Sequence, residues 1–449
     1  MTKVLLARVG SPPVNLFSYE RFLAKFFYSF YIKPFRPYSL FVLARKLKNA
    51  GHICEILDLM CFIKLQRKSI MKNFAAHYDI IGFSFNTNGY YEALKMAEVC
   101  KKINPKLKIV FGGPHATFQY FEILKDYKFV DYIAIGEGEK VIVDLANKKD
   151  PSAIKGIAYR KNGNVERTSL ENIDIDSLEP IDALESVKIF KSSLMSYEVK
   201  HFIETSRGCP VGCFFCPIKG FYRQMRFRDA KKVVQDMKIL INKGVRDIFV
   251  PDPNLSVSPR HVEEICKEMK KNKIYFRSLL CQLHVDFTTK KMLKMLKEAG
   301  FTEVLFGIES LSPKVLRNIY KSKNPEAYIS RAINLLKYAK AIGLYTIAAY
   351  IVPLPGQHEE DVFEEIKLLK KLSTEVDLNF LTPYPGTVYW QQCKNKIKIV
   401  DTICSGNLYP IFYLSNLPYK YFKKVYEFTY PFNRRLKSFL NQFRHRTVF

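Results

Sequence analysis

Two series of apolar runs, each interleaved with helical patterns, constrain the fold of this 449-residue chain more than any other feature. In the first 150 residues the runs are KVLLARV, ICEILDL, IIGFSF, KIVFGG and YIAIGE, separated by patterns such as YYEALKMAEVCKKI. A strand that is apolar throughout needs cover on both faces, and helices between such strands supply it. The series therefore predicts an α/β fold with a doubly wound parallel sheet over residues 1–150. Ligands of such sheets sit beyond the carboxyl ends of the strands. Here those ends carry GSPP, NTNG, GPHAT and GEGE, loops small enough for a large flat ligand to approach the backbone. Any one of them alone reads better as a simple turn.

Residues 151–192 break the rhythm. GIAYRKNGNVERT predicts a hairpin turning at Asn162–Gly163, and IDIDSLEPIDALE an acidic connector. The second series then runs through HFIETS, DIFVPD, YFRSLLCQL, EVLFGIES, TIAAYIVP and VDLNFLTP. It predicts a partial (β/α)6 barrel over residues 193–390, with its chemistry at the carboxyl-end rim. Residues 391–449 form a basic aromatic C-terminal segment with a small helical part, and positions 418–449 carry eight Lys or Arg against one Glu. Such a segment suits an anionic membrane surface or an acidic partner, but packing its aromatics onto the barrel is the favoured expectation. The net charge of +28 fits nucleic acid, membrane or an acidic substrate, and fits equally a general lysine bias. No apolar run reaches the length of a spanning helix, and the N-terminus enters a strand without a cleavage site, so a cytoplasmic protein is expected.

CPVGCFFC places Cys209, Cys213 and Cys216 within eight residues of a chain with ten cysteines. Scattered singles such as Cys54, Cys266 and Cys393 do not make a disulfide framework. Zinc would want a second pair of ligands, and His201 stands too far from Cys209 for a finger. A [4Fe–4S] cluster accepts thiolates on its irons, and three thiolates leave one iron open to another ligand. Pro210 and Gly212 let the loop fold tightly.

CxxxCxxC after a first barrel strand resembles the radical SAM superfamily. The likeness continues through GIES (Gly307–Ser310), LPGQ (Leu354–Gln357) and TPYPGT (Thr382–Thr387), in that order. The resemblance implies that Cys209, Cys213 and Cys216 ligate the cluster while S-adenosylmethionine (SAM) chelates the fourth iron. Reductive cleavage would then give methionine and a 5′-deoxyadenosyl radical. It implies Phe215 near the adenine, Asp252 and Asn254 at the SAM amino group, and Glu309 with Ser310 as further SAM contacts. Asp252 reads equally as an Asp-Pro turn former. Two positions depart from the pattern: His284 stands where Arg is usual and Pro353 where Gly is usual, which weakens any SAM contact at the first. His284 reads better as a structural histidine than a catalytic one.

An α/β domain ahead of such a barrel resembles the cobalamin-binding class, through Ser11–Pro13, Gly82–Asn88, Gly112–Phe118 and Ile135–Glu139. The resemblance implies cobalamin contacts at Ser11, Pro12, Ser84, Asn86, Gly112, Gly113, His115, Gly136 and Glu137. The D-x-H-x-x-G signature that supplies a histidine to cobalt is missing, and His115 reads as a packing or corrin-side contact. In that class cobalt commonly carries a methyl group from one SAM. Methylation of an unactivated carbon is therefore the expected reaction, with cyclisation or rearrangement of a lipid or other hydrophobic substrate the alternative. A small-molecule or lipid substrate and a reductase, flavodoxin or ferredoxin electron donor are the expected partners; nucleic acid is not. A tRNA methylthiotransferase would need further cluster cysteines, and Cys54, Cys61 and Cys100 do not fall in the loops required. An inert barrel serving a non-enzymatic sensor is disfavoured because the cysteine loop is intact.

Overall fold

A computed structural model of the chain describes residues 1–10, 37–62, 64–178, 188–191 and 200–396, together with Tyr421, Lys424, Val425, Phe428 and Thr429. The C-terminal segment expected to be basic and helical lies mostly outside the described residues.

The first series forms one sheet. Its strands are β1 (Lys3–Arg8), β2 (Ile53–Asp58), β3 (Ile80–Ser84), β4 (Lys108–Gly112), β5 (Tyr132–Ala134), β6 (Ile157–Lys161), β7 (Asn164–Arg167) and β8 (Ile189–Phe190). Their order is β7-β6-β5-β4-β3-β1-β2-β8. Strands β5-β4-β3-β1-β2 are parallel, as their apolar composition requires. Alternation along each strand divides the core. Leu5, Ala7, Ile81, Phe83, Ile109 and Phe111 face one layer of helices; Val4, Leu6, Ile80 and Val110 face the other. The strand order reverses between β1 and β3, so a crevice opens at their carboxyl ends. The predicted hairpin turns at Asn162 (φ 50°) and Gly163 (φ 84°), and it extends this same sheet antiparallel at the β5 edge.

The second series gives β9 (His201–Phe202), a ribbon of β10 (Ser206–Arg207) and β11 (Arg226–Phe227), then β12 (Asp247–Val250), β13 (Ser278–Leu283), β14 (Glu303–Glu309), β15 (Tyr345–Val352) and β16 (Glu375–Phe380). Six of these, β9 and β12–β16, pair parallel in chain order as an open barrel. Helices begin where the sequence supplies caps. Asp229, Ser258, Thr289 and Asn324 each accept backbone N–H bonds at a helix start, with Pro259 and Pro325 in the first turn. The expected strand HFIETS is shorter than its composition suggests. Ile203 N–H still reaches Phe249 O, but the Thr205 N–H is taken by the Asp252 carboxylate. The chain therefore leaves the barrel and pairs as β10 with β11. Among the described residues no helix is long and apolar enough to cross a membrane.

Candidate functional site

Two cavities open on the carboxyl-end rims. The first, about 260 Å³, lies over the sheet crevice with Leu6, Leu40 and Ile142 as its apolar floor and Ser84, Asn86, Gly112, Gly113, Gly136 and Glu137 around it. Arg207, Phe221 and Tyr222 of the barrel unit close its far side. Its glycines are needed for different reasons. A Cβ on Gly113 (φ +93°) would stand 2.5 Å from the Phe85 carbonyl oxygen, so the loop could not close. At Gly112 a Cβ would meet only Ala134, at 3.9 Å, so its missing side chain leaves room above the strand end. This is a cradle with an apolar floor and hydroxyl and amide groups on its rim, and it fits the side chains and tail of a corrinoid.

Six of the nine residues expected to touch cobalamin thus line one cavity. Ser11 and Pro12 lie outside the described residues. His115 is elsewhere: it packs at 4.3 Å on the Tyr90 ring, its Nδ1 is 3.1 Å from Thr87 Oγ1, and burial drives its pKa down to about 3. It buttresses the loop as a neutral side chain. Glu137 lines the cavity, but its carboxylate is engaged by Arg207 at 2.6 Å and Arg226 at 2.9 Å.

The second cavity, about 440 Å³, is inside the barrel mouth. Cys209, Cys213 and Cys216 open on it with Phe215, Asn254, His284, Glu309 and Lys321. Among the described residues no three His, Cys, Asp or Glu side chains converge on a single ion position, so the thiols rim this space without closing on one point. Burial raises all three thiol pKa values, Cys216 to about 12, while the nearby Lys321 ammonium pulls them the other way. Binding iron would supply the charge compensation that burial alone withholds.

Glu309 holds φ +66° beside an irregularity in the β14–β15 ladder, a conformation a non-glycine residue keeps only when its surroundings fix it. Its carboxylate meets Lys321 Nζ at 3.0 Å. Burial alone would lower the Lys321 pKa, but the Glu309 charge outweighs it and keeps the amine protonated. The Gly of GIES has a physical reason here. A Cβ on Gly307 would sit 2.8 Å from both Glu309 Oε1 and Lys321 Nζ and split the pair.

Among the residues that line this cavity, two buried donors have no hydrogen-bond partner, Asn254 Nδ2 and His284 Nε2. Asn254 Oδ1 accepts from Ser256 N at 3.1 Å and Oγ at 2.7 Å, which fixes the amide orientation. His284 Nδ1 accepts the Asp286 N–H at 3.2 Å, leaving its proton on Nε2. Burial, with Lys321 adding to it, drives the His284 pKa down to about 2. Orphaned donors in a cavity that also holds a cation and a carboxylate fit a zwitterionic ligand rich in acceptors.

Asp252 and Ser310, expected at SAM, do not line this cavity. Asp252 accepts from Thr205 N at 2.8 Å, Thr205 Oγ1 at 2.5 Å and Ser206 Oγ at 2.6 Å, so it ties β12 to β10. Ser310 Oγ donates to Glu365 at 3.0 Å and turns toward the barrel wall. Lys321 and Arg207 were missed by sequence reasoning, since each is one of 71 Lys and Arg with no local signature.

Comparison with known proteins agrees with this division. Residues 203–369 match the radical SAM superfamily and residues 34–146 the B12-binding domain. An uncharacterized methyltransferase of Pyrococcus horikoshii is 31% identical over 324 residues, 70% of this chain and 69% of the relative. The anaerobic magnesium-protoporphyrin IX monomethyl ester cyclase of Rubrivivax gelatinosus is 29% identical over 72% of this chain, which spans 60% of that protein. The solved structure of the radical SAM methyltransferase TsrM from Kitasatospora setae shares the fold, with a TM-score of 0.67 at 18% identity over 89% of this chain and 77% of that one. With both cavities placed and both domains matched in order, the chain belongs to the radical SAM superfamily, in the group that carries a B12-binding domain ahead of the barrel.

Proposed function

We propose that this chain is a methyltransferase that acts on an unactivated carbon of a small molecule. When bound, the cluster with SAM supplies hydrogen-atom abstraction, and cobalamin supplies a transferable methyl group. The observation that carries the reading is the pairing of the two cavities in one chain. A glycine-cradled crevice at the carboxyl edge of the first sheet stands beside a thiol-rimmed barrel mouth in one chain, and Arg207 and Tyr222 of the barrel unit wall the first cavity.

The chain's own residues divide the work. Cys209, Cys213 and Cys216 hold the irons. Phe215 gives the adenine an apolar face, Asn254 and His284 donate to SAM oxygens or ring nitrogens, and the Glu309–Lys321 pair meets its amino and carboxylate groups. Gly112, Gly113 and Gly136 admit the cobalamin, with Ser84 and Asn86 as polar contacts. Apolar Leu283, Leu305 and Ile351 exclude water from the barrel mouth, where a radical must be protected. Reduction would come from a flavodoxin- or ferredoxin-type donor in the cytoplasm.

The test is anaerobic reconstitution with iron, sulfide and hydroxocobalamin, then incubation with methyl-deuterated SAM, a reductant and an extract of small metabolites. About four irons and one cobalt per chain, with a product carrying all three deuterons, are expected. Iron and 5′-deoxyadenosine with no labelled product would refute methyl transfer. That outcome would favour the second reading, ring closure or rearrangement of a hydrophobic substrate, for which the cyclase relatives speak.

A further inference from the structure

We infer that Phe118 sets the register of the N-terminal unit against the barrel, and with it the placement of one cavity relative to the other. Phe118 ends the short helix Pro114–Phe118 that follows the GGPH loop. Its ring reaches two glycines of the other unit. Gly220 lies in the turn Ile218–Phe221, directly after the cysteine loop, and a Cβ there would stand 3.2 and 3.3 Å from atoms of the Phe118 ring. Gly386, in TPYPGT beyond β16, would overlap the ring outright if it carried a methyl group. Two glycines from separate motifs thus form a socket for one half-buried aromatic knob, and a side chain at either would displace it.

A second contact orients what the knob positions. Arg207 Nη1 lies 2.6 Å from Glu137, in the loop after β5, and 2.9 Å from Glu139, the first residue of the helix that follows, while its Nε reaches Glu204 at 2.8 Å. Arg226 Nη2 adds a bond to Glu137 at 2.9 Å. Within the N-terminal unit the two contact loops are tied together, because Gly136 N–H donates to Thr117 Oγ1 at 2.9 Å, one residue before the knob. The ring of Phe118 lines neither cavity, so it is a positioning residue. That its register serves transfer between the cofactors rests on the methyltransferase reading.

The test reads geometry directly. A nitroxide at exposed Ile103 (Ile103→Cys) of the cluster-loaded full chain reports its distance to the reduced cluster by pulsed electron paramagnetic resonance. The expected result is one narrow distance with Phe118 present and a broadened or shifted one in Phe118→Ala, with iron content unchanged. Refilling the socket from the barrel side, Phe118→Ala with Gly220→Val, is expected to restore the narrow distance. In urea unfolding, Gly220→Val alone is expected to lower the midpoint and to do so much less when Phe118 is Ala. An unchanged distance in Phe118→Ala, or additive effects of the two substitutions, would overturn the inference. Neither measurement involves cobalt, so a chain that fails to load cobalamin would count against the proposed function and leave this test intact. Should Gly220→Val prevent cluster assembly, Phe118→Trp overfills the socket from the N-terminal side, and an unshifted distance there would likewise overturn it.

Discussion

Replacing Asp252 by Asn should remove a pH dependence of stability that the buried carboxylate imposes. Burial pushes its pKa from 3.8 to about 6, against the hydrogen bonds from Ser206 and Thr205. At about 1.4 kcal/mol per tenfold change, ionisation is about 3 kcal/mol harder in the folded chain than in the unfolded one. Because the folded value is the higher, the protonated form favours folding. This contribution is complete below pH 3.8 and is lost as the pH rises through about 6. Altered hydrogen bonds in the Asn variant shift its whole stability curve by a constant, so only the slope reports the ionisation. The chain's single tryptophan, Trp390, follows the barrel and gives a fluorescence probe of barrel unfolding. Urea unfolding of the cluster-free chain should show the stability of the variant, relative to wild type, rising by about 2 kcal/mol between about pH 4.5 and about pH 7.5. Parallel curves would refute the reasoning. Since Asp252 does not line the barrel cavity, the SAM affinity of the loaded variant should stay within about twofold of wild type (about 0.4 kcal/mol). A larger loss would return Asp252 to the ligand.

Three further outcomes follow from the cavities. Gly112→Val puts a β-favouring side chain where a Cβ meets only Ala134 at 3.9 Å, so the sheet should tolerate it while the crevice fills; cobalt retention should fall with iron retention unchanged, as metal analysis reads. Lys321→Met leaves Glu309 buried without its partner, a loss of about 3–5 kcal/mol, and the double variant with Glu309→Gln should lose less than the sum of the singles in urea unfolding. Gly307→Ala inserts a methyl group 2.8 Å from both members of that pair; SAM affinity, read by calorimetry, should fall about tenfold or more (about 1.4 kcal/mol), and wild-type affinity would remove Glu309 and Lys321 from the SAM site.

What the sequence made legible was whatever repeats or is read along the chain. The continuously apolar strands β1, β3 and β4, covered by helices on both faces, and the small residues at their ends are local facts that placed the first cavity, as the second series and its cysteine loop placed the barrel mouth. Side-chain direction is a different kind of information. VPDPN located Asp252 at the end of β12 but could not say that its carboxylate turns back to capture the Thr205 N–H, a choice made by a segment 47 residues earlier. GGPHATF located His115, yet Thr87 and the Tyr90 ring decide where the imidazole points. Lys321 sits in a lysine-rich stretch that reads as solvent-exposed, and only the strained turn at Glu309, with no side chain at Gly307, buries it. The interface was the least legible part, since Arg207 meets Glu137 across 70 residues and Phe118 meets glycines of two other motifs. GGPHATF and IGEGE read as cofactor loops, and TPYPGT as a mark of the superfamily. The structure shows that residues of all three motifs also meet across the two units. A substitution in one of them can therefore alter the lining of a cavity, as at Gly112, or the seating of one unit on the other, as at Phe118. Only measurements that separate occupancy from distance, as metal counts and spin–cluster distances do, can assign the effect.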